Sequence, residues 1–278
     1  MINYRELFEK SKKLAKESGL TQLELYQRFM FERILERISV SEYNENFILK
    51  GGLLLSAMMG INSRNTRDMD ISIKGIEVSK EKMIQVLNEI LSLDIKDGVK
   101  FEMVGITDIR EDDEYGGNKY HLVGKLENLK VTLEIDISTG DEITPKELNY
   151  EYMSIFENKK IYIDTYNIET ILAEKIETIL RRGKYNARMK DYYDVYFFLT
   201  ELKRQINLET FKQALKNTLT KRGAFDYYED YRQILNGLTN DERINNYWNT
   251  YKRKTKYAGN IEFKGIIKVL EELLDNIE

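Results

Sequence analysis

The sequence predicts an α/β fold of the α+β kind, with a small mixed sheet and flanking helices in residues 1–163 and a helical domain in residues 164–278. Segments in which apolar and polar residues alternate, the pattern of strands, all lie before residue 165. From Ile168 onward every segment has the helical period instead. The only proline is Pro145, so most of the chain is free to be helical.

Four helices are predicted in the first half of the chain: residues 4–18, residues 21–39, a segment that begins at Gly52, and residues 79–91. In the second helix, Thr21 and Glu24 form a capping box. The third is apolar and has no β-branched residue between Leu53 and Met59, which favours helix over strand.

Five strands are predicted: residues 69–73, 100–109, 119–126, 130–138 and 162–164. An acidic turn at residues 111–118 joins the second and third. The fourth, KVTLEIDIS, alternates without a break and places Thr132, Glu134, Asp136 and Ser138 on its polar face. The helices of the second half are predicted at residues 168–183, 189–203, 208–219, 226–235, 241–251 and 262–277.

Composition excludes several kinds of site. The chain has no cysteine, which rules out disulfides and thiolate metal sites and suits a reducing cytoplasm. The single histidine, His121, rules out a mechanism that needs two, and we expect it to be structural. The amino terminus is charged, without the apolar core of a signal peptide, and the longest apolar run is far short of the ~20 residues of a membrane helix. We therefore expect a cytoplasmic protein with no membrane partner.

Two aspartates one residue apart, Asp68 and Asp70, lie at the start of the otherwise hydrophobic strand predicted at residues 69–73. Side chains two apart in a strand point to the same side, so Asp68 and Asp70 present their carboxylates together, ~6.5–7 Å apart at the backbone. Such a pair repels unless a cation lies between its members, and hard oxygen ligands suit Mg²⁺ or Mn²⁺. Asp136 is the predicted third ligand, and Glu134 replaces it if the strand register shifts by two residues.

A glycine pair precedes the aspartates. Without β-carbons, Gly51 and Gly52 let the backbone approach a phosphate, and the following helix points its N–H groups and positive dipole end at the anion. Each motif is common by itself, since Gly-Gly is usually a turn and D-x-D is often a solvated surface. Their order along this chain predicts a metal-bound triphosphate instead.

These motifs resemble a known family. The resemblance rests on KGG at 50–52, R-x-T-x-D-x-D at 64–70, a later strand with Asp136, and EKIETILRR…RMKDYYDVYFF between 174 and 198. The chain resembles the AbiEii/AbiGii toxins, which are nucleotidyltransferases of the DNA polymerase β-like superfamily. The resemblance covers about residues 20–200. Leu53 stands where many relatives have Thr, which puts one phosphate contact in doubt, and Thr66 replaces a chemically equivalent Ser.

The resemblance implies roles for residues in both halves. Lys175 and Arg182, seven apart on one helix face, would reach the triphosphate, although a solvated lysine is the usual alternative. Asp191 matches the last aspartate of the family motif, and Asp194 faces the same way. The implied catalytic set is Asp68, Asp70, Asp136, Lys175 and Asp191. The implied nucleotide-binding set is Gly51, Gly52, Arg64, Thr66, Lys175 and Arg182.

The implied function is that of a toxin in a bacterial toxin–antitoxin or abortive phage infection system. Such an enzyme transfers a nucleoside monophosphate from an NTP with Mg²⁺ or Mn²⁺, and the resemblance favours the 3′ end of tRNA as acceptor. A cognate antitoxin would be encoded nearby. The alternatives are a nucleotidyltransferase that modifies a protein or a small molecule, and a nucleotide-binding module without turnover.

Two basic segments, at 181–190 and 252–256, have aromatic residues interleaved or close by. Because the net charge is −4, nucleic acid would have to be bound by a local basic patch of this kind. Aromatic rings can stack on unpaired bases, or they can simply fill amphipathic helices. The aromatic residues concerned are Tyr185, Tyr192, Tyr193, Tyr247, Trp248 and Tyr251.

Overall fold

The computed structural model describes residues 2–109, 117–140 and 142–277. The acidic turn expected at 111–118 lies outside the described residues apart from its last two, which begin a strand. The chain forms two compact units. The first comprises Met1–Asp141 and Glu147–Tyr166, and the second comprises Glu142–Lys146 and Asn167–Glu278.

A seven-stranded sheet forms the centre of the first unit. Its strands are β1 (Phe47–Lys50), β2 (Asp68–Ile73), β3 (Val99–Asp108), β4 (Gly117–Leu126), β5 (Leu129–Thr139), β6 (Leu148–Met153) and β7 (Lys160–Thr165). They are arranged in the order β3-β4-β5-β2-β1-β7-β6. The sheet is mixed, because β2 pairs with β5 and β1 with β7 in parallel while the remaining pairs are antiparallel. This confirms the predicted fold class.

The helices of the first unit are α1 (Tyr4–Ser18), α2 (Gln22–Val40), α3 (Gly51–Met59) and α4 (Lys80–Ser92). The predicted capping box is present at α2, where the Thr21 hydroxyl accepts from the Glu24 N–H and the Glu24 carboxylate accepts from the Thr21 N–H. A second capping box, between Asn3 and Glu6, starts α1. Helix α2 packs on β5 and β7, and α3 packs on β1 and β2. The helix that starts at the glycine pair is thereby fixed to the two central strands.

Strands β1 and β6 were not predicted from the sequence. β1 has only four residues, three of them buried, so its apolar run lacks the alternation that marks a half-exposed strand. β6 lies at the edge of the sheet and has mostly exposed side chains, with Tyr152 the one that is fully buried. The β1 segment thus has no alternation that reveals a strand, whereas β6 does alternate, from Leu148 to Tyr152, over a short stretch.

Buried charges on α2 are a second feature that the apolar spacing did not predict. Arg37 donates to both oxygens of Asp97, at 2.6 and 2.9 Å, and to the carbonyl of Val99 at 2.9 Å. Glu32 is fully buried and accepts from the Ser154 hydroxyl at 2.6 Å, and burial raises the pKa of this carboxyl group. This ion pair and this hydrogen bond satisfy charged groups that would otherwise destabilise the core.

The helices of the second unit are α5 (Ile168–Arg182), α6 (Met189–Thr200), α7 (Leu208–Arg222), α8 (Phe225–Glu229), α9 (Tyr231–Asn240), α10 (Glu242–Lys254) and α11 (Phe263–Asp275). The single helix predicted at 226–235 is wrong, since the chain breaks at Asp230, which ends α8 and begins α9. The short segment Glu142–Lys146 joins this unit through Thr144, whose carbonyl accepts from the Asn167 amide at 2.7 Å. In the described part of the chain, no helix is both long and apolar enough to cross a membrane.

Candidate active site

One straight row of polar side chains crosses five strands of the sheet. Thr107 on β3 pairs with Lys119 on β4, Lys119 with Asp136 on β5, Asp136 with Asp70 on β2, and Asp70 with Lys50 at the end of β1. Directly paired residues project from the same face of a sheet, so the pairing register alone brings these groups together.

Three carboxylates meet on this face. Asp68, Asp70 and Asp136 each place one oxygen within 4.8 Å of the others, and all three side chains are half-buried. Asp136 lies opposite Asp70, whereas Glu134 lies opposite Asp68, one row further along. Of the two carboxylates that the sequence left open, Asp136 therefore joins the cluster.

The electrostatics of the cluster fit a divalent cation. Burial and the neighbouring charge of Asp68 raise the pKa of Asp70 to about 6, against the opposing effect of Lys50. Burial likewise raises the pKa of Asp136, which Lys119 opposes. Among the described residues, the buried Oδ1 atom of Asp136 accepts no hydrogen bond. A hard divalent cation would supply positive charge between these carboxylates and would take their oxygens as ligands.

The glycine pair touches the cluster directly. Gly51 has a φ of +62°, and a β-carbon there would lie 1.9 Å from Asp70 Oδ2. A β-carbon on Gly52 would lie 2.3 Å from the Thr66 hydroxyl oxygen, and the Gly52 N–H donates to Asp70 Oδ2 at 3.2 Å. The close approach of Asp70 and Thr66 thus explains why neither position 51 nor position 52 can carry a side chain. The contact of the two glycines with a phosphate stays a prediction.

Lys50 is a site residue that the sequence analysis did not single out. It lies opposite Asp70, donates to the Ser138 hydroxyl at 2.8 Å and sits 5.7 Å from the centre of the Tyr166 ring. Its positive charge lowers the pKa of Asp70. The available signal was its place immediately before the glycine pair, at the end of a strand that was itself missed.

Thr66 and Arg64, both predicted to bind nucleotide, contact protein groups. Thr66 donates to the Asp68 carboxylate and so orients one of the three carboxylates. Arg64 is buried and donates to the carbonyl of Asn65, whose side chain donates to Glu24 at 2.9 Å. Arg67 also pairs with Glu24, at 3.1 Å. The loop before β2 is therefore fastened to the first turn of α2.

A second group of charges adjoins the cluster, on β4 and β5. Lys119 lies 2.8 Å from a Glu134 oxygen and 3.4 Å from Asp136 Oδ1. His121, on the same strand, lies 3.6 Å from the other Glu134 oxygen, and its second nitrogen hydrogen-bonds Thr107 at 3.0 Å. The sequence analysis assigned no role to Lys119, because its pairing with Asp136 depends on a register that the sequence does not show.

In the second unit, the predicted lysine and aspartates come together. Lys175 on α5 lies 2.7 Å from Asp191 and 2.8 Å from Asp194, both buried on α6. Arg188 pairs with Asp191 at 2.8 Å. Arg182 is the last residue of α5 and is partly exposed. Two buried carboxylates thus hold the Lys175 ammonium in place.

The structure separates five of the six aromatic residues of the basic segments into two groups, and the sixth, Tyr251, is partly exposed. Tyr192, Tyr193 and Trp248 are buried, and the rings of Tyr192 and Trp248 pack on Phe263 with centroids 5.1 and 6.1 Å apart. The idea that these three stack on RNA is wrong, because they form the core of the unit. Tyr185 and Tyr247, in contrast, are 77% and 48% exposed.

Comparison with known families identifies the chain. A family model described as nucleotidyl transferase AbiEii toxin, type IV toxin–antitoxin system, matches residues 33–274. The chain belongs to this family. It is therefore an AbiEii nucleotidyltransferase toxin of a type IV toxin–antitoxin system, a system that also includes a cognate antitoxin. The carboxylate cluster lies within the matched residues, as does the Lys175 group.

Two solved structures are similar to this chain at low sequence identity. A crystal structure of an assigned nucleotidyltransferase from H. pylori has 16% sequence identity and a TM-score of 0.50, with 93% of this chain and 96% of that chain covered. The crystal structure of JHP933 from Helicobacter pylori has 15% identity and a TM-score of 0.49, with 93% of each chain covered. A search of curated proteins found no match.

Proposed function

We propose that this toxin transfers a nucleoside monophosphate from an NTP to a hydroxyl group of an RNA acceptor, the 3′ end of tRNA, with Mg²⁺ or Mn²⁺ at Asp68, Asp70 and Asp136. The observation that carries the proposal is the convergence of these carboxylates within 4.8 Å, beside the N-terminus of α3. AbiEii membership supplies the reaction class. The metal, the acceptor and the residue roles are our inference.

In this reaction the acceptor hydroxyl oxygen attacks the α-phosphorus, the bond to pyrophosphate breaks, and the hydroxyl proton leaves to a base. When bound, the divalent cation supplies charge neutralisation to the triphosphate and the leaving pyrophosphate. Asp136 lies at the edge of the three-carboxylate cluster, next to Lys119. In addition to binding the metal, Asp136 would accept the proton of the acceptor hydroxyl group. Most of the rate enhancement would come from positioning and charge.

Other residues would hold the nucleotide. The glycine pair and cationic side chains would bind the triphosphate. Thr66 would orient Asp68 through the hydrogen bond that it donates to this carboxylate. Lys175 contributes a positive charge to the triphosphate, while Asp191 and Asp194 fix its position. The nucleotide-binding residues in this proposal are Gly51, Gly52, Arg64, Thr66, Lys175 and Arg182.

The exposed tyrosines of the second unit are candidates for RNA contact. Lys184 lies 5.5 Å from the centre of the Tyr185 ring, and Tyr247 is exposed on α10. Exposed rings beside cations suit the stacking of unpaired bases at an RNA end. We expect Tyr185→Ala combined with Tyr247→Ala to raise the KM for tRNA, with label transfer to water or to a short acceptor unchanged. An unchanged KM for tRNA would remove these tyrosines from the proposal.

The biological setting follows from the same proposal. The toxin would act in the cytoplasm, where tRNA with an altered 3′ end stops translation and growth, including the growth of infecting phage. The antitoxin encoded beside it would relieve the arrest.

The deciding experiment incubates the purified protein with each labelled NTP, total tRNA and Mg²⁺. Label in tRNA supports the proposal, and label in protein or in a small molecule supports another acceptor. Bound nucleotide with no label in any acceptor identifies a binding module. Asp70→Asn is the inactive control, and Asp164→Asn, a partly exposed aspartate on β7 outside the cluster, is the matched active control.

A further inference from the structure

Lys119 connects the candidate metal cluster to a carboxylate outside it. Its ammonium lies 3.4 Å from Asp136 Oδ1 and 2.8 Å from Glu134 Oε2. Asp136 belongs to the three-carboxylate cluster, whereas Glu134 lies one row away, opposite Asp68. The same cation therefore interacts with one cluster member and with one carboxylate next to the cluster.

An ammonium and a divalent cation compete for a carboxylate oxygen. The Oδ1 atom of Asp136 is buried, and its ion pair with Lys119, at 3.4 Å, is longer than the 2.8 Å contact that Lys119 makes with Glu134. A positive charge within a few ångströms of a divalent ion raises the free energy of the bound ion. Lys119 therefore opposes metal binding while it remains between Asp136 and Glu134.

Glu134 is placed to retain Lys119 when a metal ion arrives. Its other oxygen lies 3.6 Å from His121 Nδ1, and His121 is in turn hydrogen-bonded to Thr107 at 3.0 Å. Glu134 is 47% exposed and Lys119 28% exposed, so both can shift by a small rotation without unpacking the core. A short movement toward Glu134 would take the ammonium away from Asp136.

We propose that Lys119 is a resident counter-cation of the carboxylate site, which weakens the binding of a divalent cation to the nucleotide-free protein, and that Glu134 is its alternative partner when the ion is bound. This inference rests on the proposed metal site. It predicts that the divalent ion binds better together with a triphosphate, whose negative charge offsets that of Lys119.

The test measures Mn²⁺ binding to the nucleotide-free protein by titration calorimetry. Lys119→Met is expected to tighten binding by about three- to tenfold, the size of one screened charge near a divalent ion. Lys119→Arg keeps the charge and should bind like the wild type, within about twofold. Glu134→Gln removes the alternative partner and leaves Lys119 with Asp136, so binding should weaken several-fold.

Two control variants make the result specific to this pair. Lys119→Met combined with Glu134→Gln should bind Mn²⁺ nearly as tightly as Lys119→Met alone, because Glu134 acts on the site through Lys119, whereas a general effect of charge would return the affinity to that of the wild type. Lys125→Met removes a lysine on the same strand and face that pairs with Glu102 instead, and it should leave Mn²⁺ affinity unchanged. Circular dichroism of each variant verifies that the fold is retained.

Opposite results overturn the inference in distinguishable ways. Equal Mn²⁺ affinity of the wild type and Lys119→Met, or weaker binding by Lys119→Met, overturns the counter-cation role and leaves the proposed reaction standing. Failure of every variant to bind Mn²⁺, with and without a non-hydrolysable NTP, overturns the inference together with the metal-dependent reaction.

Discussion

Asp70 and Asp136 lie directly opposite each other on the neighbouring parallel strands β2 and β5. Both carboxylates are placed by backbone pairing at the centre of the sheet rather than by a loop. Burial raises the pKa of each, and Asp68 adds a like charge to both. Two such groups side by side are costly to the folded state unless a cation compensates them. This cost gives the site measurable properties in the absence of substrate.

Replacing either member of the pair should stop the reaction. Asp70→Asn and Asp136→Asn are each expected to lower the rate of label transfer by at least ~100-fold, because each removes a charge that would hold the metal-bound triphosphate. Single-turnover transfer from labelled NTP measures the effect. Asp164→Asn should keep the wild-type rate, and an Asp136→Asn variant that did so would refute the assigned site.

The stability of the metal-free protein should depend on the ionisation of Asp70. Its pKa is about 6 in the folded protein against an ordinary value of 3.8, so the folded state binds this proton more tightly than the unfolded state. The protonated Asp70 carboxyl group therefore stabilises the folded protein relative to the ionised one. This stabilisation is fully present below about pH 3.8 and is lost as the pH rises through about 6. Its size is at most ~3 kcal/mol.

Denaturant unfolding in EDTA, compared at pH 4.5 and pH 7.5, measures this effect. Asp70→Asn cannot ionise, so its stability should change less than that of the wild type over this interval. Mg²⁺ or Mn²⁺ at pH 7.5 should stabilise the wild type and have little effect on Asp70→Asn. Identical pH profiles for the two proteins would contradict the raised pKa.

A methyl group at Gly51 should damage both fold and site. The φ of +62° disfavours any side chain there, and the added carbon would lie 1.9 Å from Asp70 Oδ2. We expect Gly51→Ala to cost ~2–4 kcal/mol of unfolding free energy and to abolish transfer. Gly223→Ala has a similar positive φ (+58°) in the left-handed region with no neighbour within 4 Å, so it should cost only ~1–2 kcal/mol and keep activity. Equal losses would mean that the contact with Asp70 is unimportant.

Lys175 should contribute to stability as well as to any contact with nucleotide. Lys175→Met would leave the buried Asp191 and Asp194 without this cation, which is expected to cost ~3–5 kcal/mol. Adding Asp194→Asn removes one of these charges and should restore part of the stability but not the activity. Recovery of activity along with stability would show that Lys175 acts only through the fold.

Parts of the site could be predicted because their geometry is local. Asp68 and Asp70 share a face by the two-residue period of a strand, and the alternation in β5 places Asp136 on a polar face. The family motifs then connected the two strands. The roles of Lys175 and Asp191, which the resemblance to AbiEii toxins implied, stay predictions, while their mutual contact is observed.

Other parts depend on pairings between distant segments. Lys50 and Lys119 join the site because β1 and β4 flank the carboxylate strands in a defined register. No local pattern in either strand encodes which neighbour it will pair with. The buried Arg37–Asp97 pair is similar, because a charged residue on a helix is normally solvated and only the position of its partner shows otherwise.

The contact between Glu24 and the loop before β2 has a consequence for how this toxin can be shortened. The family match begins at residue 33, so a version trimmed to it would retain every motif. It would nevertheless lack the glutamate that holds Asn65 and Arg67, and with it the tether of the segment carrying Arg64 and Thr66. Under the proposed function, the first turn of α2 would therefore support the nucleotide site, although it contributes no group to the chemistry.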